Sequence, residues 1–115
     1  MDKPVSVEEL LGKAQACDGQ LVTVEGQFVA MFDGSVLCAP RSALEVTPDR
    51  PRITLECPEL VDRCFQVLSP YVGGPWYYND PAVVSGRFLA QPEPRLVELS
   101  AVVIRRPGTE HRIPL

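Results

Sequence analysis

The residues of this chain best suited to hold a metal ion or to attack a substrate are four cysteines and one histidine. Cys17, Cys38, Cys57 and Cys64 form no C-x-x-C pair, the spacing on which zinc ribbons and thioredoxin-type redox sites depend. Cys38, Cys57, Cys64 and His111 could in principle supply a three-sulfur, one-nitrogen zinc set. Their separations of 19, 7 and 47 residues match no ligand ladder. Reduced and mostly buried thiols account for the same residues with fewer assumptions, so neither a metal nor any other cofactor is expected. Nucleophilic catalysis needs a base beside the nucleophile. The only histidine lies in the C-terminal tail, and there is no Gly-x-Ser-x-Gly element. The glycines at 19, 34, 73 and 74 make no phosphate loop. The carboxylates are scattered, so a hydrolase is a third reading without a motif behind it, and the chain reads as non-catalytic.

The remaining chemistry is that of recognition. Trp76, Tyr77 and Tyr78 stand in a row, followed by Asn79 and Asp80, within the Gly/Pro-framed stretch YVGGPWYYNDP from Tyr71 to Pro81. Tryptophan and tyrosine bury much area at low entropic cost and dominate protein interfaces. Either such a loop seals the end of a core or it meets a partner. Arg41, Arg50 and Arg52 cluster in the proline-containing connection from Pro40 to Arg52. Eight positions are therefore expected to touch a partner: Trp76, Tyr77, Tyr78, Asn79, Asp80, Arg41, Arg50 and Arg52.

Charge narrows the partner. Eleven basic residues face fifteen acidic ones, for a net charge of -4, and only two of the bases are lysines. A protein that grips a phosphate backbone needs a basic footprint, so nucleic acid is disfavoured. An acidic surface suits a basic protein by electrostatic steering. The opening MDKPVSVEEL has no apolar run behind a basic start, and no apolar run is long enough to span a bilayer. A cytoplasmic protein with no membrane contact is expected.

These residues need elements to hold them. Ser6-Val-Glu-Glu9 is a capping box, followed by Val7, Leu10, Leu11 and Ala14 on one helical face, so a helix is predicted over about 7–16. Asp18-Gly19 turns the chain. The first strand, Gln20 to Phe32, carries Gly26 at its centre, where a bulge or tight bend is expected. Asp33-Gly34 signals a hairpin into a second strand, Ser35 to Ala39; the third is Ile53 to Cys57. Pro58 opens a second helix whose apolar face is Leu60, Val61, Cys64, Phe65 and Leu68. Phe28, Phe65 and Phe88 are assigned to the core. A fourth strand, Ala82 to Ala90, has its own bend point at Gly86, and a fifth runs from Leu96 to Arg105. One domain over 1–106 is expected, with an irregular tail over 107–115.

Helix, three strands, helix and two strands is the order of a five-stranded Greek-key barrel with a helix between strands three and four, the OB-fold. A more open antiparallel sheet covered by both helices is the competing architecture. The stretch from about Val5 to Arg105 resembles small bacterial OB-fold proteins in which an "L…DGQLVTVEGQF" pattern opens the barrel after a leading helix. That resemblance implies the fold and is nearly silent on activity, because OB barrels host many unrelated tasks. The reading is a mainly β, OB-like binding module with protein as its partner, an immunity or inhibitor-type protein for a basic target being one concrete form. The alternative is an oligonucleotide-binding module that uses the Arg41–Arg52 region.

Overall fold

The computed structural model describes residues 4–31, 34–39, 51–70 and 77–115. Its strands are β1 (Val5–Ser6), β2 (Leu21–Met31), β3 (Gly34–Cys38), β4 (Arg52–Leu55), β5 (Tyr78–Leu89), β6 (Arg95–Arg106) and β7 (Thr109–Arg112). Its helices are α1 (Val7–Gly12), α2 (Ala14–Cys17) and α3 (Leu60–Val67). The pairing order runs β2-β3-β4-β6-β5 and returns to β2, so five strands close into a mixed barrel of OB-like topology. The parallel step between β4 and β6 is short, Thr54 opposite Arg95 and Leu55 opposite Leu96. The other four joints of the barrel are antiparallel.

Side-chain alternation places the core. Along β5, Tyr78, Asp80, Ala82, Val84, Gly86 and Phe88 point inward while their neighbours are more exposed. Val24, Phe28 and Ala30 of β2, Leu37 of β3, Ile53 and Leu55 of β4, and Leu96, Val102 and Ile104 of β6 meet them. Two helices close the barrel. Ser6 caps α1 by accepting a 3.1 Å bond from the Glu9 N–H, as the capping box requires, and Val7 and Leu10 are fully buried. The leading helix is not continuous: the backbone breaks at Lys13, between α1 and α2. Leu60, Cys64 and Leu68 anchor α3.

Gly26 sits where β2 changes neighbours on one edge, from β1 at Glu25 to β3 at Gln27. Its pairing with β5 is unbroken from Leu21–Arg87 to Ala30–Tyr78, so the expected bulge is not there. Glycine is needed for another reason. A Cβ at this position would lie 2.6 Å from the Cys38 carbonyl oxygen and 2.9 Å from Val7 Cγ2. The irregularity belongs to the other glycine: the β5–β6 register shifts between Ser85 and Arg87. Opposite it, Glu98 adopts a positive φ of 50° and accepts a 2.7 Å bond from Arg87 Nε.

Two further expectations are corrected. The fourth strand of the barrel begins at Tyr78 rather than Ala82, so Tyr78–Asp80 are strand residues and not a loop. Pro81 is accommodated because pairing with β6 starts only at Ala82, leaving one side of the strand without a ladder there. The tail is not irregular. Pro107-Gly108 turns the chain, with Gly108 at φ 78°, and Thr109–Arg112 pairs back along β6. Ile113 then buries itself in the core. No helix among the described residues is long and apolar enough to cross a membrane.

Candidate functional site

The outer face of β3 and β4 forms the floor of an open groove of about 920 Å³. Strand alternation builds that floor. Ile53 and Leu55 point into the barrel, so Arg52, Thr54 and Glu56 point out in a line. Val36 lies opposite Thr54 on β3 and adds an apolar patch. One wall is α3, which presents Val61, Asp62 and Phe65 at one- and four-residue spacing on a single helical face. Tyr77 and Met31 close the end beside that helix, and Glu93, from the β5–β6 turn, stands on the rim.

The aromatic end is fixed by main-chain geometry. The Tyr77 N–H donates a 2.8 Å bond to the Ala30 carbonyl. Ala30 is opposite Ser35, and Ser35 is opposite Leu55, so this row leads from Tyr77 across the sheet to Leu55 and Glu56. Phe65 meets Tyr77 edge to face, with centroids 5.4 Å apart and planes at 82°. Phe65 is 44% exposed, which corrects its assignment to the core. Beneath it lies Tyr78, with the ring centroids 5.9 Å apart.

Period-two alternation divides the aromatic-acidic run named from the sequence. Tyr77 and Asn79 face outward, and Asn79 accepts a 2.7 Å bond from Gln27 Nε2. Tyr78 and Asp80 face inward and are buried, so neither offers its side chain to a partner. The Tyr78 hydroxyl donates a 2.6 Å bond to the Leu68 carbonyl, and burial pushes its pKa up to about 12, with Cys64 adding to the shift. Asp80 accepts from Arg106 Nε at 3.3 Å, and Arg106 Nη2 donates to the Ser69 carbonyl at 2.9 Å. These groups tie the end of α3 to the barrel. Arg52 is exposed on the groove floor. Trp76, Arg41 and Arg50 lie outside the described residues. Of the eight positions, the fold therefore brings Tyr77 and Arg52 into one groove.

Asp62, Glu56 and Glu93 were not singled out from the sequence, and Phe65 was assigned to the core rather than to a site. A signal for Phe65 existed: the apolar face of α3 is wider than one short helix can bury against a barrel end. For the acids there was none, since their convergence depends on long-range pairing.

The groove carries three carboxylates, Glu56, Asp62 and Glu93, against one described cation, Arg52. Arg95 approaches Glu56 at 3.4 Å, an exposed and weak pair. No described cation pairs with Asp62 or Glu93. Cys57 lines the groove and is half-buried, while burial drives the Cys64 thiol up to about 12, making it a poor nucleophile. All four cysteines are unpaired in this structure. Among the described residues, no three His, Cys, Asp or Glu side chains converge as metal ligands would. No family model, no curated protein and no solved structure matches the chain.

Proposed function

We propose that this protein is a non-catalytic binding module and that the β3–β4 groove takes a segment of a partner protein. The observation that carries the reading is the edge-to-face pair of exposed Phe65 and half-buried Tyr77 beside a half-apolar strand floor. Large apolar side chains left half in water gain from being covered, and aromatics do so at low entropic cost. The groove is open and floored by extended strands, which suits an extended chain better than a compact small molecule. Its acidic balance supports a basic partner, and an inhibitor-type protein that acts by occupying such a partner is one form this takes.

The test is selection of peptides from a random displayed library against the purified domain and against a Thr54→Trp variant, whose side chain would fill the floor. Enrichment on the first and its loss on the second, at equal melting temperature, is the expected result. Peptides that enrich equally on both would place binding elsewhere. The same strand face is where OB barrels hold oligonucleotides, so a poly-dT arm belongs in the experiment; binding of that arm alone would favour the second reading.

A further inference from the structure

We infer that the aromatic end of the groove is a subsite for a cationic side chain, a lysine, a methylated lysine or an arginine of the partner segment. This rests on the groove being the partner site. Three independent placements meet there. Phe65 and Tyr77 set their rings at 82° to each other, so faces and edges of two π-systems border one corner. The face of an aromatic ring attracts an ammonium or guanidinium group within about 6 Å of its centroid, and an edge-to-face pair leaves a ring face outside the contact for it. Asp62 stands one turn before Phe65 on the same face of α3, exposed and without a described cation. Glu56 ends the outward line of β4 at the same end, because Tyr77 stands in the row that leads through Ser35 to Leu55.

Charge along the groove gives the subsite a direction. Arg52 opens β4 and Glu56 follows its last residue, four residues on and about 13 Å away in extended chain. The single described cation of the groove therefore sits at the end away from the aromatics. A cationic side chain entering at Phe65 avoids it and meets carboxylates. A phosphate or an acidic side chain entering there would meet Asp62 and Glu56 head-on. An uncharged apolar side chain would cover the rings but leave Asp62 unmatched, while Glu56 keeps only its weak, exposed 3.4 Å pair with Arg95.

The experiment is a positional-scanning peptide library with randomised flanks and a fixed central residue. That residue is arginine, lysine, trimethyl-lysine, norleucine or glutamate. Binding to the intact domain is read by fluorescence anisotropy and by the ring resonances of Phe65 and Tyr77. The expected order places the three cationic pools at least tenfold tighter than norleucine, with glutamate weakest. Phe65→Leu keeps apolar area and removes the π-face, so it should erase most of the difference between lysine and norleucine. Asp62→Asn should reduce that difference and flatten its salt dependence. Equal binding of the lysine and norleucine pools, with ring shifts present, overturns the cationic subsite and leaves the groove reading standing. Binding that never shifts the Phe65 and Tyr77 resonances overturns both.

Discussion

The hydroxyl of Tyr78 donates a 2.6 Å hydrogen bond to the carbonyl oxygen of Leu68, joining the first residue of β5 to the residue that ends α3. The last carbonyls of a helix have no partner within it, and this one is met by a buried phenol instead of water. Tyr78→Phe keeps the ring and removes the donor. The loss should be about 1–2 kcal/mol in urea unfolding, because a buried carbonyl then lacks its partner. Amide exchange should quicken first in α3. A variant as stable as the parent would mean that water takes over the bond.

Alkali should unfold the domain early, and two groups set the window. Burial raises Cys64 from 9.0 to about 12 and Tyr78 from 10.0 to about 12. Both are neutral below their ordinary values, so their contribution is intact at neutral pH. As pH rises past those values the unfolded chain releases protons that the folded chain retains, and stability falls with pH. The fall should begin near pH 9 and continue to about 12. Chemical denaturation across that range checks it, and a Cys64→Ala, Tyr78→Phe double variant should show a flatter profile. An unchanged slope would remove these groups as its source.

Glycines 26 and 12 should respond to alanine with opposite signs. At Gly26 a methyl group meets the Cys38 carbonyl at 2.6 Å, and backbone cannot swing aside as a side-chain tip can. Gly26→Ala should cost about 1–3 kcal/mol, the usual penalty of overfilling a packed site. Gly12 ends α1 and has nothing within 4 Å of a would-be Cβ. Gly12→Ala should be neutral or stabilise by up to about 1 kcal/mol through helix propensity and a stiffer unfolded chain. Equal melting temperatures for the two variants would defeat the close-approach account.

How far the sequence reveals this molecule depends on the range of the interaction. Local signals were legible: the Ser6 cap, the alternation of Val84 through Phe88, and the antiparallel pairing of β2 with the strand that follows it. The element order was enough to suggest the barrel. Gly26 was recognised as exceptional, but its cause is Cys38, twelve residues away across the sheet. The aromatic run was read as one loop because its composition is loop-like. Pairing with β2 makes Tyr78–Asp80 part of a strand, which sends Tyr78 inward and leaves Tyr77, just before it, half-buried beside the groove. The groove was legible only through Tyr77 and Arg52, since nothing local announces that Asp62 and Phe65 will stand over β4.

The buried Tyr78 and the exposed Phe65 that packs over it should separate folding from binding. Tyr78 is fully buried, so Tyr78→Ala should cost about 4 kcal/mol through the cavity and the lost bond. Phe65 is 44% exposed, and Phe65→Ala should cost only about 1 kcal/mol. Thermal melts of the two variants, set beside their affinity for a groove-selected peptide, test the division. Phe65→Ala should lose at least tenfold in affinity while still folded. If it unfolds as readily as Tyr78→Ala, the ring belongs to the core and the groove loses its anchor.

Single-stranded DNA is the ligand that this groove should refuse. Affinity for a nucleic acid backbone comes mainly from neutralised phosphates and the counterions they release. Glu56, Asp62 and Glu93 border the groove beside Arg52, so a phosphate laid along it meets more repulsion than attraction. The aromatic pair alone could stack a base, but each stacked base brings a phosphate with it. A dT oligomer should bind more weakly than about 100 µM near physiological salt. Reversing the field should create what the parent lacks: an Asp62→Lys, Glu93→Lys double variant should bind the oligomer, with affinity falling as salt rises. Tight, salt-steep binding by the unaltered chain would mean that cations outside the described residues, Arg41 and Arg50 first among them, outweigh the acids of the groove. In that case Arg41→Ala and Arg50→Ala should each weaken the oligomer and lower the salt slope, and the protein-segment reading would give way.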